Sequence, residues 1–168
     1  DSIGKEVLNG VFETGEQPGL KKELDKLASG KYRIQLKSKD DSGNDVEAES
    51  DFVLFSYADK RPPIETNEWL LRKRTVFAKG QPAEIILGVS GKDVHVLYEL
   101  YQGVDLLERK WMRLSNENRT FRVDYKDEYK EGVTLFLTYV KGERFYSHHI
   151  DITVESKRND LDVQLDVF

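Results

Sequence analysis

Between Trp69 and Tyr101 the chain reads WLLRKRTVFAKGQPAEIILGVSGKDVHVLYELY. Apolar and polar residues alternate in short runs, and glycine turns at Gly80 and Gly91 separate those runs. Side chains of a strand point to opposite faces in turn, so this period of two describes half-buried strands. A chain built this way is committed to an all-β architecture.

The same grammar continues downstream. Val94 to Tyr101 sets Val94, Val96, Tyr98 and Leu100 against His95, Leu97, Glu99 and Tyr101. Gly103 turns the chain into Leu106 to Leu114, and Ser115-Asn116-Glu117-Asn118 forms the next turn. Thr120 to Val123 is a short strand, and Tyr125 to Glu131 is polar. Val133 to Lys141 and Arg144 to Val154 form a hairpin around Gly142-Glu143. About seven strands within roughly ninety residues, with turns every eight to twelve, predict an immunoglobulin/fibronectin-like antiparallel β-sandwich over 69–156.

Upstream, Lys31 to Phe55 predicts a hairpin around Asp40-Asp41-Ser42-Gly43-Asn44. Residues 5–14 suggest an extended segment. Leu20, Leu24 and Leu27 fit either a short helix or an extended approach to a turn. Residues 1–57 offer too few strands for a sandwich and read as the C-terminal part of an incomplete one. Residues 58–68 hold Pro62-Pro63, which lack two backbone donors, and predict a stiff linker. Residues 157–168 alternate again and read as the start of a following module. The expected organisation is therefore tandem sandwich modules within a larger protein.

Composition narrows the classes of function. The formal net charge is -5, and the first sixty residues hold 9 Lys+Arg against 13 Asp+Glu, so a nucleic-acid partner is not expected. Cysteine is absent, which excludes disulfides, thiol catalysis and Cys-ligated zinc within this chain. No apolar run approaches the ~20 residues of a membrane-spanning helix. No signal peptide is visible.

Several segments carry a resemblance. Leu27-Ala28-Ser29-Gly30-Lys31-Tyr32-Arg33-Ile34, the turn Lys39-Asp40-Asp41-Ser42-Gly43-Asn44 and the return Phe52-Val53-Leu54-Phe55 look like the closing strands of one module. Thr75-Val76-Phe77-Ala78-Lys79-Gly80-Gln81-Pro82-Ala83-Glu84-Ile85, Val96-Leu97-Tyr98, Leu107-Glu108-Arg109, Leu114-Ser115-Asn116-Glu117-Asn118-Arg119 and Gly132-Val133-Thr134 look like the next. Together they resemble the macroglobulin-like domains of bacterial alpha-2-macroglobulin proteins of the Bacteroidetes type. Lys79-Gly80-Gln81 stands where that family usually has Pro-Gly-Glu. The resemblance covers nearly the whole chain, but its motifs are structural. It implies scaffold domains of an exported protease inhibitor, in the periplasm or at the cell surface. The partners implied are neighbouring domains of the same chain and, through the full-length protein, a target protease. The family's thioester needs a Cys, so bait and trap would lie elsewhere.

The chemistry-bearing residues are few. His148-His149 adjoin on a strand, so they point to opposite faces and do not share one ion without a bulge. His95 stands apart. Asp40-Asp41 and Asp127-Glu128 lack the spacing of a calcium loop. Trp69, Trp111, Tyr98, Tyr101, Tyr125, Tyr129, Tyr139 and Tyr146 could form a stacking platform for a sugar, although strand aromatics more often pack in a core. Arg72-Lys73-Arg74 reads as a solvated strand entry. No phosphate loop or nucleophile elbow is present. No catalytic, cofactor-binding or metal residue is assigned, no cofactor is expected, and the chain is read as non-enzymatic. The leading expectation is a scaffold role in a protease inhibitor. The alternative is a carbohydrate-binding or adhesion module, which exposed Trp and Tyr rings on one sheet face would favour.

Overall fold

The computed structural model describes residues 4–11, 24–78, 81–129 and 131–155. Two compact units divide the chain, Asp1–Ser56 and Tyr57–Phe168.

In the first unit, β1 (Gly30–Lys39) and β2 (Asp45–Leu54) pair antiparallel in the register Tyr32↔Phe52, Ile34↔Ser50 and Leu36↔Ala48. This is the predicted hairpin. Asp40 closes its turn: Oδ1 accepts the Ser42 and Asn44 amides at 2.9 and 2.8 Å, while Gly43 takes φ 83°. One face carries cross-strand ion pairs, Lys31–Asp51, Arg33–Asp51, Lys37–Glu47 and Lys39–Asp45. The other face carries the stacked Tyr32 and Phe52 rings, 5.8 Å apart. Of the leucine stripe, Leu20 lies outside the described residues, and Leu24 and Leu27 lie within them. Its described end is a turn in which the Leu27 amide donates to the Leu24 carbonyl.

The second unit is the sandwich. Its strands are β3 (Trp69–Arg74), β4 (Val76–Phe77), β5 (Ala83–Val89), β6 (Val94–Gln102), β7 (Asp105–Leu114), β8 (Glu117–Val123), β9 (Val133–Lys141) and β10 (Arg144–Val154). One sheet runs β3-β5-β8 and the other β4-β10-β9-β6-β7. The chain changes sheets at Thr75, after an irregularity between Arg72 and Arg74 frees β4 to pair in parallel with β10. Residues 79–80 lie outside the described set, but Ala78 and Gln81 bridge across them.

The inward positions fill one core. Ile85, Leu87 and Val89 of β5 meet Val94 and Val96 of β6, Leu135 and Leu137 of β9, and Ile150 and Ile152 of β10. Tyr98 and Phe121 stack across the two sheets at 6.0 Å. The sequence places a turn over Ser115–Asn118, whereas Glu117 and Asn118 already belong to β8. The polar stretch after β8 contains one 3-10 turn, Asp127–Tyr129, that buries Tyr129 against Phe77.

Residues 58–68 are the stretch read from the sequence as a stiff linker. They lie along the sandwich as a strap. Asn118 Nδ2 donates to the Asp59 and Arg61 carbonyls at 3.0 and 2.9 Å, and the Asn118 amide donates to Lys60 O. The Ser90 amide donates to Thr66 O at 2.7 Å, the Gly91 amide to Asn67 Oδ1 at 2.8 Å, and the Tyr139 hydroxyl to Asn67 O at 2.7 Å. Extended proline-containing chain has unpaired carbonyls, and the sandwich supplies the donors for them.

Candidate functional site

The five-stranded sheet has an outer face whose register lines up rows across β7, β6, β9 and β10. One row is Trp111, Leu97, Thr138 and Ser147, and the next is Arg109, Glu99, Phe136 and His149. The flanking pairs are Arg113 with His95, and Val140 with Phe145. Outer positions of a solvent-facing sheet are normally polar. Here Trp111 is 67% exposed, Phe145 65% and Val140 61%.

Two shallow depressions mark this face. One, about 340 Å³, is lined by His95, Leu97, Trp111, Thr138, Val140 and Phe145 among others. The second, about 410 Å³, is lined by Glu99, Tyr101, Gly103, Val104 and Phe136. Val104 projects from the β6–β7 turn and is 93% exposed. The Glu99–Arg109 ion pair, 2.6 Å, stands on this face, and Asp93 pairs with both Arg113 and His95 at its end. The charges around the apolar ground are therefore paired with one another.

On the opposite sheet the central strand β5 is buried along its whole length. A Cβ at Gly88 would stand 2.9 Å from Pro62 Cγ, so the strap crosses directly over β5. Further along β5, Glu84 is ringed by Lys73, Arg74 and Arg122, and the hydrogen bond from Lys73 holds its carboxyl below the usual range. This absorbs Lys73 and Arg74 of the basic cluster into a structural charge network.

The histidines separate as their spacing implies. His148 is buried and His149 exposed. His148 Nε2 lies 3.2 Å from the Tyr139 hydroxyl. That hydroxyl gives its hydrogen to Asn67 O, so Nε2 is the donor in the pair. Burial is the largest influence on His148 and lowers its pKa, Glu68 opposes this, and Arg72 reinforces it. His149 stacks on Phe136 at 4.9 Å and meets Asp151 Oδ1 at 3.0 Å. Among the described residues no three metal-ligating side chains come together. Asp40 serves its turn, and Glu128 meets Lys126 at 3.6 Å.

The aromatics divide between core and surface. Tyr98, Tyr129, Tyr139 and Tyr146 are buried, and Trp69 is half-buried on β3. Trp111 remains outside, joined by Phe145 and Phe136, which the sequence reading does not single out. The available signal was the apolar Phe136 and Val140 at positions of VTLFLTYVK that alternation reserves for polar residues.

The fold and site define an all-β immunoglobulin/fibronectin-like sandwich with an open apolar sheet face. No protein-family model matches the chain, and no curated protein shows significant similarity to it.

Proposed function

We propose that this chain is a non-catalytic scaffold and interaction unit that works through the outer face of its five-stranded sheet. The observation that carries the reading is the exposure of Trp111, Phe145 and Val140 together on one sheet face while neighbouring charges neutralise one another. Contiguous exposed apolar ground of this kind marks contact surfaces. The resemblance to macroglobulin-like domains supports, within this proposal, a role in an exported protease-trapping protein whose bait and trap would lie elsewhere. A sandwich with its strap hydrogen-bonded along one sheet would serve there as a rigid spacer.

The test is to incubate the chain with serine and metalloproteases and follow peptide hydrolysis. Protease activity is expected to stay unchanged, and inhibition or trapping by this chain would sink the scaffold reading. A second reading, a carbohydrate-binding or adhesion module, draws support from exposed Trp111. Against it, four of the eight tyrosines and tryptophans named as a platform lie in the core.

A further inference from the structure

Among the described asparagines, only Asn9 precedes a glycine. An asparagine side chain can react with the main-chain nitrogen that follows it, and a side chain on that next residue obstructs the approach. Gly10 has no side chain, and its backbone is the freest to turn. A Cβ placed at Gly10 would meet nothing within 4 Å, so the nitrogen lies in open surroundings.

The local structure leaves both groups loose. Residues 4–11 belong to no helix or strand and are exposed, Val11 to 99%. Among the described residues the Gly10 amide has no acceptor. Asn9 Nδ2 donates to Glu6 Oε1 at 3.3 Å, a long, solvent-exposed hydrogen bond that holds the side chain weakly.

The other described asparagines are held. Asn44 donates to the Asp40 carboxylate from Nδ2 at 2.9 Å and from its amide at 2.8 Å, and the next residue, Asp45, pairs with Lys39 in the hairpin. Asn67 Oδ1 accepts the Gly91 amide, and the following amide, that of Glu68, donates to Thr66 Oγ1 at 3.0 Å. Asn116 precedes Glu117, which pairs with Val89, and Asn118 precedes Arg119, which pairs with Leu87. A nitrogen fixed in a ladder is not free to swing onto the preceding side chain.

We propose that Asn9 is a site of spontaneous deamidation, in which the Gly10 nitrogen closes a cyclic imide on the Asn9 side chain. Hydroxide takes the Gly10 amide proton. The nitrogen attacks Asn9 Cγ, so an N–Cγ bond forms and the Cγ–Nδ2 bond breaks. Nδ2 leaves as ammonia with a proton from water, which restores the hydroxide. Water then opens the imide. Attack at Cγ gives aspartate, and attack at the main-chain carbonyl gives isoaspartate, with the chain rerouted through Cγ. Nothing is oxidised or reduced, and water is the sole co-reactant. Either product adds one negative charge to a chain whose formal net charge is -5. That charge stands beside Glu6, so a hydrogen bond becomes a like-charge contact.

The test incubates the full chain at neutral and at mildly alkaline pH. Its proteolytic peptides are followed by mass spectrometry, with fragmentation that separates the two isomers. A gain of about 1 Da is expected in the peptide bearing Asn9, with isoaspartate the larger product. The rate is expected to rise in proportion to hydroxide. Gly10→Val is expected to slow the reaction at least about tenfold, because a β-branched side chain crowds the nitrogen and stiffens its backbone. Acetyl-Val-Leu-Asn-Gly-Val-amide, the same sequence freed from the chain, is expected to react at a similar rate.

Equal deamidation at Asn44, Asn67, Asn116 or Asn118 would overturn the selection of Asn9 by its surroundings. Aspartate without isoaspartate, or an unchanged rate in Gly10→Val, would overturn the imide. A chain that stays intact at Asn9 while the free peptide reacts would overturn the openness of this segment, and the site with it.

Discussion

Gly88 faces Asn118 across the β5–β8 ladder, and a Cβ at Gly88 would stand 2.1 Å from Asn118 Oδ1. Asn118 cannot turn aside cheaply, because its Nδ2 holds two strap carbonyls. Gly88→Ala is therefore expected to destabilise the sandwich by about 1–3 kcal/mol, the usual cost of overpacking. Asn118→Ala removes the donors to the strap and is expected to cost about 1–3 kcal/mol. Urea unfolding of each variant checks both.

The buried His148 makes stability pH-dependent. Its folded pKa lies below the ordinary value because burial disfavours the charged ring. The unfolded chain therefore takes up this proton first, near pH ~6.5. The contribution is complete above that pH and is lost as pH falls through it towards the lower folded pKa. The groups facing the ring are Tyr139, Glu68 and Arg72. Unfolding free energies measured between pH 8 and pH 5, roughly spanning the ordinary histidine range, are expected to fall more steeply for the native chain than for His148→Gln. Parallel profiles would contradict this account.

In the first unit, Asp51 accepts hydrogen bonds from Arg33 and lies 3.1 Å from Lys31. These neighbours, Arg33 first, bring its pKa down to about 2. A ¹³C carboxyl titration is expected to show Asp51 still ionised at pH ~3, where an ordinary aspartate, with pKa ~3.9, is mostly protonated. Arg33→Gln should move the Asp51 midpoint upwards.

Core and face should respond oppositely to truncation. Leu137 is fully buried, and Leu137→Ala is expected to cost about 2–5 kcal/mol. Trp111→Ala removes a larger side chain from an exposed position and is expected to alter stability by no more than about 0.5 kcal/mol. Denaturant midpoints of the two variants, compared with the native chain, decide the contrast.

Much of the fold was legible because alternation is a local signal. Val94 to Tyr101 and Arg144 to Val154 present one face each to the core, as their period of two requires. The β1–β2 hairpin was legible from its Asp-Ser-Gly-Asn turn. The strap was not, because Pro62-Pro63 announces an extended chain without saying what receives its carbonyls. Those partners come from Ser90, Asn118 and Tyr139, remote in sequence. The boundary between turn and strand at Glu117 was missed for a similar reason. Pairing with Val89 makes Glu117 a strand residue, whatever its turn-forming neighbours suggest.

The candidate face shows the same division. By itself, the sequence determined an all-β chain, the two faces of each alternating strand, and the opposition of His148 to His149. Only the tertiary structure decided which apolar faces were covered. Leu97, Phe136, Val140, Phe145 and Trp111 come from four strands, and strand order alone sets them side by side. Hydrophobicity along a chain records how much apolar surface must be placed. The packing of the two sheets and the strap determines which part of it remains open to solvent.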